Sequence, residues 1–316
     1  MGELFRARDT RAGRTVAIRI VANEIAGDPQ RRLRFVADAR AMTALSHPNI
    51  AALYEVDEDQ GRLFLVSEYV PGDMLTTLIA GRALNPRHAL DHGIQLADAL
   101  AEAHAAGVVH RDIRPSTVIV TPKGIAKFVD VGLAAWTEGG LRRAAASSLL
   151  ARDAVVAPDA VAYTSPEQLL GKSVDEQSDV FSLGVVLYEL LAGRPPFAGA
   201  DARVVATQIV KAEAAPPSRI NRAVSADLDA IVLKMLAKKP DQRYESAATL
   251  AAELRAVAAI LDVREDKLEP MMRAKGSTSR PGVRPGIWVA LAVIAIAALL
   301  LMAIRFLFSG SLGAVR

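Results

Sequence analysis

His110-Arg111-Asp112-Ile113-Arg114-Pro115-Ser116-Thr117, followed at a short distance by Asp130-Val131-Gly132, is the stretch on which the reading of this 316-residue chain turns. Asp112 stands between an Arg and a Pro-containing turn, and Asp130 lies beyond the strand-like Val118-Ile119-Val120. One carboxylate on a turn and a second after a strand is how a phosphoryl-transfer site presents a base and a metal ligand.

Working outward, the chain next offers Ser165-Pro166-Glu167, then Asp179-Val180-Phe181-Ser182 opening an apolar helix, and finally Arg243. Each motif is weak alone, but their order and spacing together are specific. Over residues 1–262 the chain resembles the bacterial members of the eukaryotic-type serine/threonine protein kinases. The resemblance implies an α+β, two-lobed fold with a small β-rich N-lobe and a larger helical C-lobe. It also implies ATP and Mg²⁺ as cofactors. Asp112 takes the place of the residue that orients the substrate hydroxyl, and Asp130 that of the principal Mg²⁺ ligand. Arg114 replaces the family's loop Lys, Thr117 its second metal ligand Asn, and Val131 an aromatic that packs on His110. Glu167 and Arg243 match a buried ion pair, and Asp179 the residue that holds the catalytic-loop backbone.

The N-terminal part departs further. Of the family's Gly-rich loop over the phosphates only Gly2, with Leu4 in place of Val, is matched. The first strand and two glycines are absent, which a misassigned start codon and a genuine truncation explain equally. Thr15 to Ile20 alternates as a half-buried strand, and the phosphate-gripping Lys of the family is here Arg19. Arg keeps the charge on a bulkier planar fork, and no Lys occurs before Lys123. Gln30 to Leu45 reads as an amphipathic helix with Leu33, Val36, Met42 and Leu45 on its apolar face. The family's helix Glu falls at Asp38, either pairing with Arg19 or standing as a solvated charge. Leu63 to Val70 resembles the hinge between the lobes, which carries adenine recognition over to the Glu68 carbonyl and the Val70 N–H. Ser67 would be a small gatekeeper, with Ala17 and Ile119 the apolar plates around the base.

Ala89 to Ala106 reads as a helix closed by Gly107, with His88, His92 and His104 as surface or core-edge residues rather than metal ligands. Leu133 to Thr164 corresponds to the activation segment. Thr137, Ser147 and Ser148 lie there near Arg142, Arg143 and Arg152, and Asp159-Ala160 stands where Gly-Thr is usual.

A hydrophobic content of 51% suits one two-lobed domain plus an appendage. The net charge of +3, with no basic stripe, argues against nucleic acid as a partner. With no cysteine there is no disulfide framework. Residues 263–286 read as a juxtamembrane tether, and Ile287 to Ile304 carries no charge. With Phe306-Leu307-Phe308 the apolar run reaches about 33 Å at ~1.5 Å per residue, enough for a bilayer core of about 30 Å. A single span over 287–308 is therefore expected. Arg273, Lys275, Arg280 and Arg284 precede it, which puts the kinase-like region in the cytoplasm and the tail 309–316 outside the cell membrane. No signal peptide is expected at the N-terminus.

The expectation is thus a membrane-anchored serine/threonine-kinase-like signalling protein of reduced activity, weakened by the changes at Arg19, Asp38, Arg114, Thr117, Val131 and Ala160. The alternative is a pseudokinase that binds a protein substrate or a partner kinase.

Overall fold

The β-branched residues of Arg14–Ile20 (β2) place it inside a sheet, between Leu4–Asp9 (β1) and Arg62–Glu68 (β4), with Leu53–Asp59 (β3) beyond β4. All three pairings of this four-stranded sheet are antiparallel. The computed structural model describes residues 2–133, 136, 158–276, 296, 299 and 302. Thr137, Ser147 and Ser148 lie outside these residues.

The helix Pro29–Met42 (α1) packs beside the sheet. Asp28 caps it by accepting from the N–H groups of Gln30 at 2.9 Å and Arg31 at 3.1 Å, and Pro29 pre-sets the first turn. Its buried face is Phe35, Ala39 and Met42, spaced by four and three residues. The sequence expectation is corrected here. Leu33 is 74% exposed, because two residues before Phe35 is about 200° around a helix of 3.6 residues per turn.

A second small sheet, Asp73–Met74 (β5), Val118–Val120 (β6) and Ala126–Phe128 (β7), sits below the hinge and carries the catalytic-loop segments. The rest of this unit is helical. Pro86–Ala105 (α2) starts earlier than the Ala89 expected, because the Asn85 side chain accepts from Arg87 N at 2.8 Å and Pro86 fits the first turn. Glu176–Ala192 (α3) is buried nearly all round, as its composition requires, and packs against α2. Ala202–Lys211 (α4), Ala226–Met235 (α5) and the start of Ala247–Gly276 (α6) complete the lobe.

Contacts divide the chain into Met1–Leu261 and Asp262–Arg316. In the second unit the backbone is helical as far as Gly276, where the sequence reads as a tether. Its Arg264-Glu265-Asp266-Lys267-Leu268-Glu269 run is made largely of good helix formers. Among the described residues no helix is long and apolar enough to cross a membrane. Of the stretch 287–308, only Ile296, Leu299 and Met302 are described, all helical and exposed.

Of the histidines expected at the surface or the core edge, His92 and His104 are buried. His104 has a partner, since its Nε2 lies 2.9 Å from an Asp179 oxygen. His92 does not, and its Nδ1 has no hydrogen-bond partner among the described residues. Burial holds the His92 pKa below the usual histidine value, outweighing the pull of Asp91. The unfolded chain then takes up a proton first, near pH ~6.5. Stability is expected to fall as pH drops below that value. Urea midpoints at pH 7.5 and 5.5 check this, and His92→Leu should flatten the difference.

Candidate active site

The catalytic loop is held in a strained shape by one buried acid. Arg111 has φ +66°, a left-handed conformation that a side chain makes unfavourable. Asp179, 1% exposed at the start of α3, fixes it by accepting from His110 N at 2.7 Å and Arg111 N at 2.8 Å. Asp112 follows this turn, itself 1% exposed, with Arg114 Nε 3.2 Å from its Oδ1. A carboxylate with a guanidinium beside it is therefore positioned at one point of the loop.

Thr117 is turned inward. Its hydroxyl lies 3.0 Å from the Asp112 carbonyl and 2.9 Å from the Arg114 carbonyl, and accepts from Arg114 N at 3.2 Å. The expected role as a second metal ligand meets a hydroxyl already committed to closing the loop. In a six-residue turn a Thr side chain reaches the backbone more readily than it reaches outward.

Asp130 also has a positive φ, +59°, and precedes Gly132, at φ +70°. That positive φ at Gly132 is what calls for the motif's glycine, since the nearest atom to an added Cβ, Met42 Sδ at 2.3 Å, is the movable end of a side chain. Val131 is buried, and an aromatic from another position packs on His110. The ring of Phe128 packs edge-on to His110 with centroids 4.9 Å apart.

A cleft between the sheets collects most of the expected cofactor residues. Leu4 and Ala17 line one side and Ile119 the other, with Ser67, Glu68 and Val70 along the hinge edge. Val70 is buried, and its N–H makes no backbone hydrogen bond among the described residues. A free peptide donor on a buried, cleft-lining residue calls for a ligand acceptor or water. Gly2 is not part of this wall. It packs on β2, where a Cβ would lie 2.3 Å from the Ile20 carbonyl, so its role here is close packing.

At the inner end of the cleft Arg19 and Asp130 form an ion pair, 2.7 Å from Nη2 to Oδ2. The Arg19–Asp38 pair left open by the sequence is thus not formed. Asp38 is engaged instead by Trp136, whose Nε1–H donates to its Oδ2 at 2.9 Å. The indole stands edge-on to Phe35, centroids 5.6 Å apart, and is 8% exposed. Sequence reasoning missed Trp136. One of only two tryptophans, set in an Ala-rich segment, was the available signal. Trp136→Ala is expected to lower stability by about 3 kcal/mol, at the low end for removing a buried Trp. Urea unfolding measures it.

Two further contacts anchor the segment behind the catalytic loop. Tyr163 donates to Glu189 Oε2 at 2.6 Å, and burial pushes the pKa of both groups upward. Glu167 and Arg243 meet through two bonds of 2.8 and 2.9 Å, as the sequence implied.

These features coincide with a known family. A model described as protein kinase domain matches residues 1–254. The chain belongs to the protein kinase family. Members of that family use ATP and Mg²⁺. The chain is 38% identical over 262 residues to a probable serine/threonine-protein kinase of Streptomyces coelicolor, covering 81% of this chain and 38% of that one. It is 39% identical over 260 residues to the serine/threonine-protein kinase PknB of Mycobacterium tuberculosis, covering 80% and 40%. The chain therefore spans about 40% of the length of such relatives. In fold it is similar to the PknI kinase domain of Mycobacterium tuberculosis, with a TM-score of 0.61 at 23% identity over 81% of this chain and 91% of that one.

Proposed function

We propose that this kinase-family chain binds Mg²⁺–ATP in the cleft and transfers the γ-phosphoryl group to a protein Ser or Thr, at a reduced rate. The observation that carries the reading is the placement of Asp130 and Arg19 in one cleft with an unspent Val70 N–H at the hinge edge. The donor set fits the ligand: apolar plates for a base, a peptide donor for its edge, a cation for phosphates and a carboxylate for Mg²⁺. Mg²⁺, when bound, neutralises the charge on the phosphates. Asp130 would hold it, and Arg19 would give up Asp130 for the phosphates. Asp112 orients the substrate hydroxyl and takes up its proton, while Arg114 places a positive charge beside it. Arg at the Lys position and a Thr117 hydroxyl spent on the loop both remove preorganised charge stabilisation. Each such loss is worth about 10²–10³ in rate.

The polypeptide would be laid out as a cytoplasmic catalytic unit over residues 1–262, a linker over 263–286, a membrane span over 287–308 and a short outer tail. The basic residues before the span support that orientation in the cell membrane. The Arg19–Asp130 pair and the capture of Asp38 by Trp136 also favour a second reading, a pseudokinase that docks a partner kinase.

A phosphotransfer assay with the full chain, Mg²⁺–ATP and a generic basic protein acceptor separates the two. Slow transfer lost in Asp112→Asn supports the enzyme. Nucleotide binding with no transfer above that variant supports the pseudokinase.

A further inference from the structure

We infer that Lys127 is a positioning residue for nucleobase binding, an assignment that rests on the nucleotide reading above. Lys127 lies on β7, outside the wall of the cleft. Its Nζ donates to Glu68 Oε1 at 2.6 Å, with the two side chains 15% and 26% exposed. Glu68 is the last residue of β4, on the hinge edge of the cleft. Lys127 also pairs in register with Ile119, the floor of the cleft, across β6 and β7. A single side chain thus joins the floor of the base site to its hinge edge.

The neighbouring contacts make this join specific. Glu68 Oε2 accepts from Ala52 N at 3.2 Å, and Glu68 N donates to the Ala52 carbonyl at 2.8 Å, so the residue is held from the β3 side as well. Next to Lys127, Phe128 N donates to the Asn49 carbonyl at 2.9 Å, and Ala51 N to the Phe128 carbonyl at 2.8 Å. Backbone bonds therefore stitch residues 49–52 to β7, and Lys127 extends the stitch to the hinge. Removing the ammonium leaves the Glu68 carboxylate part-buried, with Ala52 N its one remaining donor among the described residues. The Glu68 carbonyl and the Val70 N–H then lose their fixed distance from Ile119. A flat base needs that spacing, because its edge and its faces must be met together.

An ion pair with merely structural value would behave differently. It would change the unfolding midpoint and leave the affinity of the folded protein alone. The test is the dissociation constant of the full chain for adenosine and for Mg²⁺–ATP, by calorimetric titration, in the wild type, Lys127→Met, Lys127→Arg and Glu68→Gln. Lys127→Met and Glu68→Gln are expected to weaken both ligands by about tenfold, the low end of what losing a supporting contact does at a metal site. Lys127→Arg is expected to restore most of the loss. Equal weakening for the two ligands is the signature, because adenosine lacks the phosphates. A folded Lys127→Met that binds adenosine as the wild type does overturns the assignment, as does weakening of Mg²⁺–ATP alone. If Lys127→Met does not fold, Glu68→Gln decides, and wild-type affinity for adenosine in that variant overturns it. A wild-type chain that binds neither ligand overturns the nucleotide reading itself, and the assignment with it.

Discussion

Asp130→Ala is expected to abolish the Mg²⁺-dependent part of the stabilisation that ATP gives the folded chain. At a ligand concentration of 100 times Kd, a wild-type protein gains about 2.7 kcal/mol. For a domain of this size that is roughly 5–10 °C in Tm. The effect should be large because Asp130 lines the inner end of the cleft and the other cleft carboxylate, Glu68, is paired with Lys127, whereas the Thr117 hydroxyl is bound into the catalytic loop. Without Mg²⁺ the expected sign reverses. In the wild type, nucleotide phosphates must compete with Asp130 for the Arg19 guanidinium, 2.7 Å away. Asp130→Ala frees that cation, so in EDTA the variant should bind ATP at least as tightly as the wild type. Thermal shift with ATP, in Mg²⁺ and in EDTA, measures both halves. A variant stabilised as much as the wild type in Mg²⁺ would rule out Asp130 as the metal ligand.

Arg243→Ala is expected to destabilise the domain by about 3–5 kcal/mol, a large share of the 5–15 kcal/mol typical of a folded domain. The Arg243 side chain is fully buried and that of Glu167 nearly so. The guanidinium also donates to the carbonyls of Ala237, Gln177 and Lys238. Its removal leaves a buried carboxylate with Ser178 as the remaining side-chain donor, at 2.6 Å. The pH dependence identifies the cause. Burial by itself raises the Glu167 pKa, but the bonds from Arg243 and Ser178 overcome it and leave the group below the usual carboxylate value. A depressed folded pKa means stability that is present above the unfolded pKa and lost as pH falls through the folded one. In Arg243→Ala the Glu167 pKa rises instead, so the variant's deficit should be largest near pH 7 and shrink towards pH 4. Glu167→Gln with Arg243→Met should be less damaging than the two single changes summed, because no buried charge is left unpaired. Urea unfolding at the two pH values tests both points.

Much of this was legible from residues alone. Asp179, Glu167 and Arg243 were assigned from their place in a motif order, and each makes the contacts expected of it. Leu4, Ala17, Glu68, Val70 and Ile119, named through the family resemblance alone, line one cleft. Leu33 was misplaced because Gln30 to Leu45 offers two overlapping apolar stripes. Only the sheet beside α1 selects the one containing Phe35.

By itself, then, the sequence determined the family and the two-lobed layout. These depend on local spacing, which the chain carries in one dimension. The tertiary structure alone decided which charge meets which. Asp38 was the partner the sequence offered Arg19, but Arg19 pairs with Asp130 while Trp136 takes Asp38. Likewise, only folding brings Phe128 onto His110 and Lys127 onto Glu68. Pairing between residues 59 and 111 positions apart, as in Lys127–Glu68 and Arg19–Asp130, depends on how two sheets and a helix settle against one another. Local residue types set what each group can bind, and packing sets which partner lies within about 3 Å.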